Sequence, residues 1–271
     1  MMSMTQCPWH LVLAALLLTG GWYLGDAPGT RPVAAQTLDG IQNDRSRIML
    51  GFRGKPELVQ EWLPSPWRLD PVQKGPLQGA NVIVALVDRI RDDDAKGNPR
   101  SHGADRLVNF VVPAKHPQTG QAVSVILSGW ASNAARVPGF FRVYRPASIR
   151  MEQVIKSQDG DAEEVSDVWE VRDTAGPGGM ELRLRSRRLL GARTRARGEV
   201  RLISARDPTL GQLHQFDAAA DVVKSLPEGI DRVQHYAFRL DMPGLGSLFD
   251  GSEQLIGISV TPWYVRQVFT P

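Results

Sequence analysis

Residues Gly129 to Arg150 read GWASNAARVPGFFRVYRPASIR, and the rest of the chain is organised around this stretch. It joins an apolar run, Ala122 to Leu127, to an extended segment through the turn signal Val137-Pro138-Gly139. Alternation from Phe140 to Arg145 puts Phe140, Arg142 and Tyr144 on one face of a strand, with Phe141, Val143 and Arg145 on the other. Neither face is uniformly apolar. Two arginines and a tyrosine set between aromatics fit a wall that is partly core and partly pocket lining. They fit equally a sheet strand whose arginines reach out to water.

Upstream, Thr37 to Met49 is polar and reads as a helix or an arm. Pro56 to Leu63 reads as a short helix ended by Pro64-Ser65-Pro66, which leads into Trp67-Arg68-Leu69. Asn81 to Ile90 (NVIVALVDRI) is a run of β-branched and apolar residues, hence a buried strand. The loop expected next, Arg91 to Arg100, holds Asp92, Asp93, Asp94 and Gly97. Its spacing excludes a calcium loop, because Lys96 takes the third ligand position and Gly103 the place of the bidentate glutamate. A solvated acidic turn is expected instead.

Arg106 to Val112 and Ala122 to Leu127 read as two strands joined by a turn at Pro117 to Gly120. Ile149 to Lys156 is a helix or a further strand, and Ser157 to Asp167 an acidic loop. Val168 to Arg172, Met180 to Leu190 and Gly198 to Ala205 continue as neighbouring antiparallel strands. Ala218 to Ser225 reads as a short helix capped by Asp217. Asp231 to Arg239, a Pro-Gly-rich loop holding Leu245 to Phe249, and the strand Leu255 to Val260 close the chain. Strands dominate, so the expected class is a β-rich α+β domain around one core.

At the other end, Leu11 to Leu18 is an unbroken apolar run, and Val33-Ala34-Ala35 offers small residues for cleavage before Gln36. Residues 1–35 therefore read as an export signal and 36–271 as a single periplasmic or secreted domain. No Lys or Arg precedes the run, so an uncleaved N-terminal anchor is the alternative. The only cysteine, Cys7, precedes the run, which leaves the exported domain to fold without a disulfide. A net charge of +3 on 271 residues does not imply nucleic acid.

Several chemistries are excluded by spacing. His102, His116, His214 and His235 show no metal-binding interval, Gly244-Leu245-Gly246 lacks the third glycine of a dinucleotide loop, and there is no GxSxG elbow. No metal or cofactor is expected. From Glu181 to Arg201, Leu182 and Leu184 alternate with Arg183, Arg185 and Arg187, and Arg193, Arg195 and Arg197 repeat the pattern after Gly191. Such a hairpin with one basic face suits a polyanion or an anionic envelope surface. It equally suits an outer sheet face protected from edge pairing, and its lack of aromatics argues against nucleic acid.

The order of these features resembles the acetoacetate decarboxylase superfamily. The resemblance rests on Leu63 to Leu69 (LPSPWRL), the strand from Asn81, Val137 to Ser148 (VPGFFRVYRPAS), a late strand pair and the final Pro262-Trp263-Tyr264, and it covers most of residues 50–271. It implies a closed β-sandwich or cone with a few flanking helices and an apolar internal cavity. Active members decarboxylate a β-keto acid through a lysine Schiff base, the lysine being activated by desolvation and a neighbouring cation. They carry a proline followed by adjacent lysines; here Pro146 is followed by Ala147 and Ser148. A Schiff base needs a primary amine, which neither a guanidinium nor a hydroxyl supplies. Lys55, Lys74, Lys96, Lys115, Lys156 and Lys224 stand in polar sequence, before a turn or at element ends, and none has a lysine beside it.

The resemblance thus implies a protein that binds a small, partly apolar carboxylate without covalent catalysis. Its expected lining is Phe140, Arg142, Tyr144 and Arg145, with Trp67 and Arg68 next in line. Arg142 is preferred over Arg145 because Phe140 and Tyr144 share its face. One alternative is a lyase, a decarboxylase or hydro-lyase on a keto acid, with arginines for the carboxylate and Glu57, Glu61 or Tyr144 moving the proton. Another is an envelope protein working through the basic stretch.

Overall fold

The structure, a computed structural model, describes residues 36–100, 105–157, 160–242 and 244–271. The apolar run Leu11 to Leu18 and the cleavage site at Ala35 lie outside these residues. The strands in chain order are β1 (Thr37–Arg53), β2 (Arg68–Leu69), β3 (Val82–Asp94), β4 (Asp105–Lys115), β5 (Ala122–Ala131), β6 (Tyr144–Ser157) and β7 (Ala162–Asp173). There follow β8 (Gly179–Leu189), β9 (Thr194–Ser204), β10 (Gly211–Ser225), β11 (Ile230–Asp231), β12 (Val233–Asp241) and β13 (Gln254–Thr270). One short helix, α1 (Pro56–Glu61), follows β1 as expected, with proline in its first turn where no N–H is needed.

Seven strands close on themselves in the order β1-β3-β4-β5-β9-β10-β13 and back to β1. Every pairing in this ring is antiparallel except β5–β9, which run parallel through Ser124–Ile126 and Leu202–Ser204. A second sheet, β6-β7-β8-β12, branches from β5, where Gly129, Trp130 and Ala131 pair in parallel with Tyr144, Arg145 and Pro146. The β-rich class and the closed architecture are as expected.

One face of the ring is apolar. Ile48, Leu50 and Phe52 of β1, Val84 and Leu86 of β3, Val108 and Phe110 of β4, and Ile258 and Val260 of β13 form a single core with Trp169, Leu182 and Leu184 of the second sheet and Val59 of α1. Its centre is aromatic, with Phe249 at 5.4 Å from Phe52, 6.1 Å from Phe110 and 6.0 Å from Phe238. Rings in such tilted and edge-on contacts fill space that smaller side chains would leave open. The opposite face is covered by two segments. Val72, Leu77 and Ala80 lie against Met49, Ile83 and Ile256, while Val137, Phe141 and Tyr144 lie against Val87, Leu107, Val111, Ile126 and Ala131.

Some local expectations are corrected. Thr37 to Met49 is strand: buried positions alternate along β1, but in its first half they are Gln42, Asp44 and Ser46, so the period is invisible to hydrophobicity. Ala218 to Ser225 is the second half of β10, where pairing to β9 and β13 overrides the helix propensity of its alanines. Asp217 caps nothing and instead accepts hydrogen bonds from Arg195 and Arg197.

Past Ile90, β3 runs on to Asp94, and Asp92 and Asp93 are buried rather than solvated; only Asp94 organises a turn, accepting the N–H groups of Lys96 and Asn98. Ile149 to Lys156 is strand, and the acidic loop after it is cut short because β7 begins at Ala162. Phe140 to Val143 is not strand. Arg142 has φ 57° and its N–H bonds back to the Gly139 carbonyl at 3.1 Å, so extended structure starts only at Tyr144. The arginine-rich strands β8 and β9 do not form a hairpin: β8 lies between β7 and β12, and β9 between β5 and β10. Among the described residues no helix is long and apolar enough to cross a membrane.

Candidate functional site

Strand register builds a site on the apolar face, at the place where its apolar rungs give way to charged ones. Ser46 of β1, Asp88 of β3 and Arg106 of β4 stand opposite one another in one rung. The rung beside it holds Ile48, Leu86, Val108, Trp130 and Arg145. On β6, alternation puts Arg145, Ala147 and Ile149 on one side of the strand, and Ala147 and Ile149 belong to the apolar core.

Two carboxylates anchor the charged edge. Asp88 is fully buried and accepts two hydrogen bonds at Oδ2 from Arg45, Nε at 2.8 Å and Nη2 at 2.5 Å, while Arg106 Nε lies 3.3 Å from Oδ1. Arg106 also donates from Nη1 to the Ile149 carbonyl at 3.2 Å, which ties this group to the strand carrying Ala147. Asp173 stands opposite Ala147 in the β6–β7 ladder. It accepts from Arg145 Nε, from Trp130 Nε1 at 3.0 Å and from the Ala175 N–H at 2.8 Å. Burial alone would raise the Asp173 carboxyl; the hydrogen bonds from Arg145 and Trp130 outweigh it and hold the group below the ordinary carboxylate range.

Three guanidiniums, Arg45, Arg106 and Arg145, thus face two carboxylates, Asp88 and Asp173, leaving one positive charge in excess. Their side chains are 57%, 27% and 36% exposed, so each touches water. The floor beside them is buried and apolar: Ala147, Ile149, Trp130, and Phe110 edge-on to Trp130 at 5.7 Å. Such a boundary suits a ligand with a carboxylate at one end and a small apolar body at the other.

The residues expected from sequence are dispersed. Arg145 is in the site. Arg142 is exposed on the turn, 3.7 Å from Asp207, and Phe140 is exposed, edge-on to Phe141. Tyr144 packs on the opposite face of the ring and donates to Asn109 Oδ1 at 2.7 Å; burial pushes its phenol up. Trp67 belongs to the apolar core, edge-on to His116, while Arg68 is exposed. Glu57 and Glu61 lie on the exposed side of α1, away from Tyr144's face, so the three are not brought together. Sequence reasoning missed Arg45, Asp88, Arg106, Trp130 and Asp173. One signal was available: Asp88 interrupts the apolar run NVIVALVDRI at a position that alternation assigns to the core.

No lysine reaches this floor. Lys55, Lys74, Lys96, Lys115 and Lys156 are exposed, and the half-buried Lys224 is paired with Asp231. Among the described residues no group of His, Cys, Asp or Glu side chains is placed to hold a metal ion.

No protein-family model matches the chain, and no curated protein matches it. Solved structures match it in shape. The enduracididine biosynthesis enzyme MppR with HEPES buffer bound superposes with TM-score 0.51 at 10% identity, over 87% of each chain. MppR complexed with pyruvate gives 0.50 at 10% identity, over 92% of this chain and 95% of that one. An acetoacetate decarboxylase-like enzyme from Sphingomonas wittichii RW1 gives 0.52 at 12% identity, over 91% and 97%. At these identities the likeness is one of fold.

Proposed function

Taking as premise an acetoacetate-decarboxylase-like fold, we propose that this chain binds a small, partly apolar carboxylate and forms no Schiff base with it. The observation that carries the reading is Ala147: it is buried on the apolar floor beside Arg145 and Asp173, directly after Pro146, where the family's active members have a lysine. Five of the six lysines are exposed and the sixth, Lys224, is paired with Asp231, which supports the same reading. The ligand's carboxylate lies against Arg145 and Arg106, where one positive charge is in excess, and its apolar end lies toward Ala147 and Ile149. MppR has been seen with pyruvate, so a short 2-oxo acid is the first ligand to try. On the apolar run Leu11 to Leu18 and the small residues before Gln36, we place the protein outside the cytoplasm.

Calorimetry with pyruvate and acetoacetate tests the proposal, together with borohydride trapping and an assay for carbon dioxide release. The expected result is saturable binding with no reduced adduct and no release above background. Arg145→Ala or Arg106→Ala should weaken binding by about 1.5–3 kcal/mol, the cost of losing a charge-assisted hydrogen bond. A trapped adduct on any lysine overturns the non-covalent reading, and unchanged affinity in both variants overturns the site.

A further inference from the structure

The opposite face of the same strands carries a second charged group, which the carboxylate site does not use. Arg47 Nη2 donates to Asp44 Oδ2 at 2.6 Å, and Arg89 Nε donates to Asp44 Oδ1 at 3.3 Å. Arg136, from the segment covering this face, bonds Asp92 through Nη2 and Asp105 through Nε at 3.0 Å. Gln42 donates to Asp92 Oδ2 at 3.1 Å and accepts from Arg266 Nε at 2.7 Å. Three guanidiniums, Arg47, Arg89 and Arg136, therefore pair with three carboxylates, Asp44, Asp92 and Asp105, and a fourth, Arg266, joins the group through Gln42.

Arg266 is the one left over. It is only 9% exposed, and among the described residues no carboxylate lies within 4.0 Å of it. Besides Gln42 its neighbour is the Tyr264 ring, 5.8 Å away, a ring that already has the Arg47 guanidinium at 3.7 Å. A guanidinium does not escape burial by giving up its proton at neutral pH. Burial lowers Arg266 to about 10, Arg89 and Arg47 adding to it and Asp44 opposing it, which leaves the group charged. Asp44, which acts on Arg266 from a distance, is already bonded by Arg47 and Arg89; a buried charge compensated only at a distance is costly, so a closer counter-charge stabilises the fold wherever one fits. The surroundings report the same imbalance: His214, 3% exposed, is held well below its ordinary value first by burial and then by Arg266, Arg47 and Arg89. Nε of Arg47 is buried with no hydrogen-bond partner, as on the acceptor side are Oδ1 of Asp92 and Oδ1 of Asp105.

We propose that this face of the ring holds one small monovalent anion, of halide or formate size, against the guanidinium of Arg266. A single excess charge sets the valence. Tyr264 and Val268 share Arg266's face of β13, and on β10 Phe216, stacked on Tyr264 at 5.7 Å, and His214 stand opposite Arg266 and Val268, so these bulky neighbours limit the size. The anion acts as a structural counter-ion, and its residues are separate from Arg45, Arg106 and Arg145, so failure here leaves the carboxylate site standing.

Thermal unfolding of the full chain at fixed ionic strength, with chloride, bromide or formate replacing gluconate as the sodium salt, tests this. The wild type should show a saturable rise in Tm, roughly 3–6 °C at ten times the dissociation constant. Arg266→Gln should lose the rise while remaining folded in gluconate, because it also removes the excess charge. Bromide-soaked crystals of the wild type should show an anomalous peak within hydrogen-bond distance of Arg266. Equal Tm values in all four anions, or bromide crystals with no peak there, overturn the proposal. So does an Arg266→Gln protein that keeps the full anion-dependent rise.

Discussion

Ala147 and Asp173 face each other across the β6–β7 ladder, and the Asp173 carboxylate is held by Arg145 and Trp130. A methyl group therefore sits beside an occupied carboxylate, on an apolar floor and next to a cation. Desolvation and a nearby cation are the two influences that depress a lysine's pKa. Ala147→Lys should install an amine with a lowered pKa at a destabilisation of roughly 2–4 kcal/mol, from overpacking and the burial of a charge. Denaturant unfolding measures the cost, and borohydride with acetoacetate should now trap an adduct on residue 147.

Removing the partner of Arg145 gives a second expectation. Asp173→Asn should cost roughly 1–3 kcal/mol at neutral pH, because the network loses its negative charge and one of its two acceptor oxygens. The sign with pH follows from the depressed carboxyl. Its contribution is present above the ordinary carboxylate value and is lost as pH falls through the lower folded value. The stability difference between wild type and variant, followed by chemical denaturation from pH 6 downward, should accordingly shrink in acid.

Gly129 is required by a close approach. A Cβ there would come within 2.6 Å of the Val108 carbonyl oxygen and 2.7 Å of the Tyr144 ring. Gly129→Ala should displace Tyr144 from Asn109 and destabilise the protein by roughly 1–3 kcal/mol, the range seen when a packed core is overfilled. A lowered Tm would be the readout, and an unchanged one would show that the ring is free to move.

The arginine-rich strands should not make the chain a polyanion binder. Arg183 is paired with Glu181, Arg193 with Glu163, and Arg195 with Asp217, and the two strands belong to different sheets. Retention on heparin at low salt should fall away by physiological ionic strength, because exposed charges are screened over about 8 Å there. Retention that survives this and drops on changing Arg183, Arg185, Arg193 and Arg195 to Ser would restore the polyanion reading.

The proposed export makes a simple demand on the N-terminus. Mass analysis of protein from the cell envelope should find a chain beginning at Gln36, whereas a full-length cytoplasmic chain would sink the proposed location.

What the sequence made legible depended on whether buried residues are apolar. Val82 to Val87 and Ala122 to Leu127 announce themselves as strands because their burial is hydrophobic. The first half of β1 does not, since Gln42 and Asp44 are buried through Asp92, Arg266, Arg47 and Arg89, all distant in sequence or hidden by polarity. β10 was disguised by alanines whose local preference is helical. In the site, the segment around Pro146 pointed to Arg145 and to the missing lysine. Arg45, Asp88 and Arg106 were not legible, because their meeting depends on the register of three strands, with Arg45 separated from Asp88 by 43 residues. The preference for Arg142 failed at one backbone angle: a positive φ ends the alternation on which face assignment rests.

The ring is closed by β13, the last strand in sequence, lying between β1 and β10. Thr37 pairs with Thr270 and Arg53 with Gln254, so the first and last strands of the described domain are neighbours along their whole length. A nascent chain therefore waits for its final segment before β1 and β10 lose their open edges, and until then both remain templates for another chain. Closure of so long a loop carries an entropic cost that non-local strands must meet before their pairing rewards it. Folding of this domain is on these grounds a late, all-at-once event, and a molecule cut before β13, at Gln254, would be an aggregating species rather than a smaller working one.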